Sequence, residues 1–580
     1  MLTDNRPDVK EPVMENDERF GLTHDKLGCL PVVNWFLDRM GLDDIVGRYL
    51  PGDDARLRLA PATVIGLVVR NIICAHKPLY AIGEWASGFE ASLLGLGVGD
   101  PGALNDDRVG RTLDSLFDSD RASLITEVVL AVIGEFGLDL SRFHNDSTTV
   151  TFSGAYHSAT GARRGGQVTP AITFGFNKDH RPDLKQLLFV LTVSADGAVP
   201  VAYRSADGNT TDDGTHIETW DSLVALVGSP DFTYVADAKL CSAEAMGHIA
   251  TRHGRFVTVI PHGRKEDTWF REFVQTHVPG WEEAHRRPGA RLGDPDEVWR
   301  TFVAPLPSTE GYRVIWVHSS AKAARDANAR QGRVEAGLAA IESVAERLSS
   351  PKSRLRTKVA VEEAAAAALA KAGSVRWVGF VVNETQQETF SQESRGRPGA
   401  QTRYRKRVKT VFSIEAVPKA DVIAYDAASD GCFPLVTNAD EATPAQVLEI
   451  YRYQPNLERR HHMLKGPQSV APVFIEHPHR IEAILLCHFL AMIAEALIER
   501  EIRSSMKDQG LSGIPLYPEM RRCPSPSAPR ILEIFADAQR HYLMRKEEVV
   551  QVFDPELTPL HQQVLDLLHV PEIVYASKAS

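Results

Sequence analysis

Apolar and polar residues alternate with two different periods along this chain, and the switch between them divides it. From Phe20 to about Gly137 apolar positions recur at three and four spacing, in "LPVVNWFLDRMGLDDIVGRYL", "APATVIGLVVRNIICAHKPLYAIGEWA", "LNDDRVGRTLDSLFD" and "SLITEVVLAVIGEFG". That period predicts helices, with breaks at Pro51-Gly52 and at "GLGVGDPGALNDD". After Gly137 the runs become short and β-rich: Phe143–Phe152, Leu184–Asp196, Val199–Ala206, Phe232–Ala238 and Arg255–Pro261. The first three follow one another through tight turns such as Asp196-Gly197, as an antiparallel meander does. Helical patterns ("THIETWDSLVALVG", "SAEAMGHIATRHG") precede the last two, which suits parallel addition. Three meander strands followed by two α/β units are the order of an RNase H-like sheet.

Beyond Arg264 the pattern changes again. Strand-like pieces ("VWRTFVAPLP", "YRVIWVHSS", "VRWVGFVV", "KTVFSIEAV") flank Ala-rich helices ("AKAARDANARQGRVEAGLAAIESVAERL", "KVAVEEAAAAALAKAG"), which reads as an inserted subdomain. Helix returns at Thr443, an N-cap with Pro444 at the first position and Gln446 closing a capping box. Pro455 lacks an N–H and would clash with the Tyr451 carbonyl in an unbroken helix. It predicts a break that leaves Glu458 in the first turn of a second segment, near the positive helix end. A long helix follows over roughly Pro478–Lys507. The expected class is therefore α/β: an RNase H-like core with a mixed α/β insertion before its last helices, plus an N-terminal helical domain. By residue number the parts are a disordered tail (1–19), a helical domain that one reading makes a DNA reader (20–137), the first part of the core (138–263), the insertion (264–440), the last core helices (441–510) and a C-terminal region (511–580).

Composition narrows the class further. The 580 residues, at about 150 per domain, allow three or four domains. The six cysteines are scattered with no Cys-x-x-Cys pair, which argues against a zinc ribbon or a disulfide framework and fits a reducing cytosol. Met1–Arg19 is polar and acidic, without the apolar run of a secretory signal. The apolar run Ala483–Ala494 is 12 residues long, too short to span a bilayer, and reads as a core helix. No membrane partner is expected. A net charge of −11 leans against nucleic acid in sum. The exception is Ser394–Lys409, with seven Arg or Lys in 16 residues and no acid. There Arg403, Arg405, Lys406 and Arg407 surround Tyr404: either a solvated basic loop or a strip that tracks phosphates.

Three carboxylates stand at places that chemistry could use. Asp146 lies inside the first strand, where Asp is disfavoured. Asp237 ends the fourth strand, and Glu458 sits on the helix after the insertion. In an RNase H-like sheet the first and fourth strands are neighbours, so the two aspartates would stand side by side and a helix across that edge could bring Glu458. Three such groups repel unless a cation is present, and two Mg²⁺ (or Mn²⁺) ions about 4 Å apart would answer that and clamp an in-line phosphoryl transfer. Each acid alone, among 76 in the chain, is an ordinary turn or surface residue. "GVGDPG" (Gly97–Gly102) fits G-x-G-x-x-G but opens no βαβ unit, and no Walker A, H-E-x-x-H or G-x-S-x-G motif is present. His477 and His479 read as loop and N-cap neighbours rather than zinc ligands.

The order of these acids resembles the DDE transposases of bacterial insertion sequences. Within them it is similar to the group marked Y-x2-R-x3-E-x6-K, read here as Tyr451, Gln454, Glu458 and Lys465 with glutamine for arginine. Members of the subgroup named for insertion sequence 1634 often have that glutamine, and "VADAKLCS", "GFNKDHRPDLKQ", "DGNTTD" and "FVTVIPHGRKED" are also family-like. The resemblance covers about residues 20–500. It implies that Asp146, Asp237 and Glu458 are catalytic and hold the metals, that Lys465 and Tyr451 contact DNA near the cut, and that Gln454 stands where a phosphate-binding arginine is usual. Glutamine lacks arginine's charged fork; Arg459, Arg460, His461 or His462 would compensate, or form a solvated basic face. Strands of the insertion would help hold transposon ends, with Trp299, Trp316 and Trp377 either stacking on a base or lying in the core. The resemblance also implies double-stranded DNA partners (terminal inverted repeats and target), a homodimer in the synaptic complex, and a bacterial cytoplasmic protein, nucleoid-associated on DNA. Other readings are a nuclease on the same fold without strand transfer, and a DNA-binding protein whose catalytic centre has decayed.

Overall fold

Asp146 lies inside an 11-residue strand, and the hydrogen-bonded partners of that strand organise the sheet around it. The computed structural model describes residues 20–577, apart from 51, 53–57, 98–99, 158, 211–213, 290–292, 351, 467, 469–474, 476 and 547. The expected disordered tail (1–19), Pro51, and parts of "GVGDPG" and "DGNTTD" lie outside the described residues. Two compact units divide the chain: Met1–Phe256 with Arg452–Ser580, and Val257–Tyr451.

In the first unit, β1 (Arg142–Phe152), β2 (Lys185–Ser194) and β3 (Pro200–Asp207) form the predicted meander, and β4 (Thr233–Val235) joins β1 in parallel. Their order is β3-β2-β1-β4. α1 (Thr215–Val227) precedes β4 and α2 (Ala243–Thr251) follows it, as the alternating pattern requires. Hydrophobic residues of β2 are buried along its whole length, since a central strand has no solvent face. The N-terminal helices belong to the same unit and gather around one long helix: His479 and Arg480 both bond Asp114 (2.9 and 2.6 Å), and Arg121 pairs with Glu482 (3.2 Å). One segment read as part of the helical region is not helix. Phe20–Lys26 is a strand, paired antiparallel with Gln539–Arg545, because its partner comes from the far end of the chain and leaves no local signal.

In the second unit the end of β5 (Arg255–Val259, of which Val257 onward belongs here), β6 (Glu282–Arg287), β7 (Glu297–Val303), β8 (Arg313–Ser319) and a later strand, β11 (Cys432–Thr437), run antiparallel in the order β5-β11-β8-β7-β6. Phe270 stacks on Trp316 at 3.6 Å in its core. The Ala-rich helices α3 (Ser320–Ser349) and α4 (Lys358–Lys371) pack with the base of a long two-stranded ribbon, β9 (Val378–Gln392) and β10 (Tyr404–Pro418). Trp316 and Trp299 are buried, as the core reading has them; Trp377 is half-buried against the Ala-rich helices, its indole donating to Asp426 (2.7 Å).

The helical return is as read at its start. Thr443 and Gln446 exchange both capping-box hydrogen bonds at the head of α5 (Pro444–Tyr451). A break follows, then α6 (Gln454–Lys465) and α7 (Pro478–Asp508). Helix α6 begins at Gln454, with Pro455 tolerated in its first turn, so Glu458 falls just past that turn rather than inside it. The apolar run in α7 is also longer than the sequence count, because Glu495 is buried and apolar residues resume after it. Among the described residues α7 is the one unbroken helix long and apolar enough to cross a membrane, and 94% of its apolar window is buried inside the protein.

Candidate active site

Strand register sets the first two acids. β1 and β4 pair in parallel with His144 opposite Val235, so two residues further on Asp146 and Asp237 come abreast. Asp237 lies two residues past the end of β4 rather than within it, and its carboxylate caps the next turn by accepting from the Lys239 amide (3.0 Å). Burial raises the Asp237 pKa, and the nearby Asp146 charge raises it further; the Lys239 amide, His216 and Lys178 oppose the shift.

Side chains alternate across a strand, so His144 and Asp146 share one face of β1. Helix α6 covers that face. Gln454 is buried, its carbonyl 3.0 Å from His144 Nδ1 and its amide donating to the Asn145 carbonyl (3.2 Å). At about 100° per residue Gln454, Glu458, His461 and Lys465 fall in one narrow stripe. Gln454 and His461 are its buried members, and His461 Nδ1 stands 3.6 Å from Asp146 Oδ2. Burial pushes the His461 pKa down to about 3, with Lys178 and Lys465 adding to the effect, so the imidazole is neutral and that contact is no ion pair at about pH 7. Glu458 is exposed on the same stripe.

Two lysines complete the cluster. Lys178 Nζ lies 3.5 Å from Asp146 Oδ1 and donates to the Ser147 carbonyl (2.6 Å) and hydroxyl (2.7 Å). Its loop is shaped by Asn177, whose side-chain oxygen accepts from the Asp179 and Arg181 amides. The next residue, Asp179, takes both oxygens to Lys465 Nζ at 2.7 Å. Residues 178 and 179 thus tie the loop after β1 to the strand on one side and to α6 on the other.

Several expectations change here. Gln454 does not face a phosphate: it is an internal strut whose amide is used by His144 and Asn145. Arg460 and His461 are no solvated basic face. Arg460 is 2% exposed, binding Glu499 (3.0 Å) and the Ala198 carbonyl (3.0 Å). The basic loop is largely strand: Arg405, Lys406 and Arg407 lie on β10 and are exposed, and Arg403 immediately precedes it, its carbonyl accepting from the Glu393 amide (3.0 Å). Tyr451 ends α5 in the second unit with its ring 5.9 Å from Phe433. His477 is the N-cap residue of α7, as read. Sequence reasoning passed over Lys178 and His144. Lys178 stood in the family-like "GFNKDHRPDLKQ", but no spacing argument linked it to Asp146.

The donor set suits a hard cation in kind. Two carboxylates forced together, one of them held toward its protonated form, gain most from a divalent ion with oxygen ligands. In this structure the Lys178 ammonium is a positive charge beside Asp146. Among the described residues no three His, Cys, Asp or Glu side chains stand close enough to share a metal ion, so Glu458 does not complete a cage with the two aspartates.

Comparison with known proteins adds little to this geometry. Residues 22–130 match a family model described as a domain of unknown function (DUF4277), a span that precedes every residue of the site. No curated protein matches the chain. Among solved structures it is similar to the piggyBac transposase synaptic complex with hairpin DNA, at a TM-score of 0.37 and 9% identity over 87% of this chain and 79% of that one.

Proposed function

We propose that this chain is a DNA transposase of the Asp-Asp-Glu type, which cuts the ends of a mobile element and joins them to target DNA. The observation that carries the reading is the pairing of Asp146 and Asp237 on adjacent parallel strands, under a helix whose one stripe bears Glu458 and Lys465. The Tyr451, Glu458, Lys465 spacing supports the finer placement among transposases of the insertion sequence 1634-like subgroup. Asp146 and Asp237 would hold Mg²⁺ or Mn²⁺, with Glu458, which stands outside their cluster in this structure, as the third ligand of a two-ion site; such ions would polarise the phosphodiester and favour attack by water and then by a 3′-hydroxyl.

The chain's own residues have the remaining roles. Lys178 balances Asp146 and keeps the loop at residues 177–181 against β1. Lys465, two turns beyond Glu458 on the same stripe, offers an ammonium to a phosphate once it leaves Asp179. Neutral His461 fills the space beside Asp146 and keeps water from that side. Tyr451 and the ribbon cations Arg403, Arg405, Lys406 and Arg407 contact the DNA backbone. Two element ends must be held at once, so the working form is a homodimer on inverted repeats, in a bacterial cytoplasm and at the nucleoid when bound.

The test uses Asp146→Asn, Asp237→Asn and Glu458→Gln. Each is expected to lower Mg²⁺-dependent cleavage of an element-end duplex about a thousandfold or more, while duplex binding stays within a few-fold. Strand transfer by any of the three overturns the assignment. Cleavage by the wild type without joined donor–target product would make it a nuclease on the same fold.

A further inference from the structure

Helix α6 has a second working face, turned away from the aspartates. Asn456, Arg459 and Arg460 follow at three and four spacing there, and Arg500, Arg503 and Lys507 follow in the same way on α7. With the turn at 195–198 between β2 and β3 they enclose an open cavity of about 420 Å³.

Three of these cations are held in place. Arg460 donates to the carbonyls of Gly197 (2.8 Å) and Ala198 (3.0 Å). Arg503 donates twice to the Pro526 carbonyl (3.0 and 2.6 Å), and Arg500 pairs with Asp196 (2.7 Å) and, outside the cavity lining, with Glu501 (3.0 Å). Gly197 has a φ of +76°, and a Cβ there would sit 2.7 Å from the Arg500 Cβ, so the turn closes on Arg500 only with glycine.

Charge on the walls is unbalanced. Five cationic side chains line the cavity against two carboxylates, Asp196 and Glu499. Arg460 and Arg503 share Glu499 (3.0 and 3.1 Å). Arg459 and Lys507 are exposed and form no ion pair among the described residues, and Arg500 Nε is buried with no partner there. Several guanidinium groups converging from two helices suit a tetrahedral anion with several acceptor oxygens better than a planar carboxylate. Arg459 directly follows Glu458, so an anion bound here lies next to the helix that carries the third acid.

We propose that this cavity is an anion site that seats a phosphodiester of bound DNA. It rests on the DNA-processing reading above and assigns that reading a backbone anchor outside the carboxylate site.

The test compares the full chain with an Arg459→Gln, Lys507→Gln double variant; both positions are exposed, and a thermal melt checks the fold. Binding of a fluorescent duplex is titrated in EDTA from about 50 to about 300 mM salt, so that cleavage does not intervene. The double variant is expected to bind about tenfold or more weakly at about 100 mM salt, with a log K against log salt slope smaller by about 1 to 2. Affinity and slope equal to those of the wild type overturn the proposal while leaving the catalytic reading intact. A wild type that binds no duplex overturns it as well. Inorganic pyrophosphate is the second probe: if it raises the wild-type melting temperature but not the variant's, and duplex binding is unchanged, the ligand is a free phosphate compound and DNA is the wrong source. The catalytic reading fails separately, through Asp146→Asn cleavage.

Discussion

The ammonium of Lys178 stands beside Asp146 and also serves the Ser147 carbonyl and hydroxyl, so one side chain balances the acids and fixes the loop. Replacing it by methionine removes the charge and leaves Asp146 and the half-buried Asp237 facing each other. Losing one partner of such a group costs about 1–3 kcal/mol. Lys178→Met is therefore expected to melt a few degrees below the wild type in EDTA at neutral pH, and to regain most of that difference in millimolar Mg²⁺ if the aspartates hold metal. A deficit that Mg²⁺ does not reduce would mean Lys178 acts only on the loop. Sequence could locate the aspartates, because an Asp inside a β-rich run is unusual and strand order makes it a neighbour of Asp237. It could not locate Lys178 or the role of Gln454. Lys178 bonds across 31 residues and Gln454 across 310, and neither contact leaves a periodic trace.

Helix α7 shows the same limit at the scale of an element. Its apolar run stops on paper at Glu495, yet that residue is fully buried, with one carboxyl oxygen accepting from Gln468 (2.6 Å) and the other unpartnered among the described residues. Burial pushes its pKa up to about 8, against about 4.3 for an exposed glutamate. The folded state therefore keeps this proton to a higher pH than the unfolded chain does. The protein loses stability as pH rises from about 4.3 to about 8 on account of this group. Glu495→Gln cannot ionise. Its melting temperature relative to the wild type should be near parity at about pH 4.5 and climb steadily to about pH 9. A difference flat across that range would show that Glu495 does not titrate in the fold. The break between α5 and α6, by contrast, was readable, since a proline two residues into a helix and a capping box are local signals. Only the starting residue differed, which moved Glu458 out of the first turn.

On the scale of the whole molecule, the meander, the parallel fourth strand and the Ala-rich helices of the second unit all follow from short-range periods. The pairing of Phe20–Lys26 with Gln539–Arg545 joins opposite ends of the chain and follows from none. Charge has the same split between sum and arrangement. A chain with net charge −11 has no general affinity for phosphates, so the DNA binding proposed above would have to come from cations that the fold segregates. The ribbon does this by strand alternation. Arg405, Arg407 and Lys409 lie on one face opposite Ser391, Thr389 and Gln387, with no acid among them, while Lys406 on the other face is paired with Glu388 (2.6 Å). Converting Arg405, Arg407 and Lys409 to glutamine should reduce the salt slope of duplex binding by about 2 to 3. The melting temperature should not move, because all three side chains are exposed on a ribbon that its backbone ladder holds together. Lys406→Gln, which only frees Glu388, should change the slope by less than any one of them. An unchanged slope in the triple variant would remove the ribbon from the proposed DNA interface and leave the cavity between α6 and α7 to account for any binding.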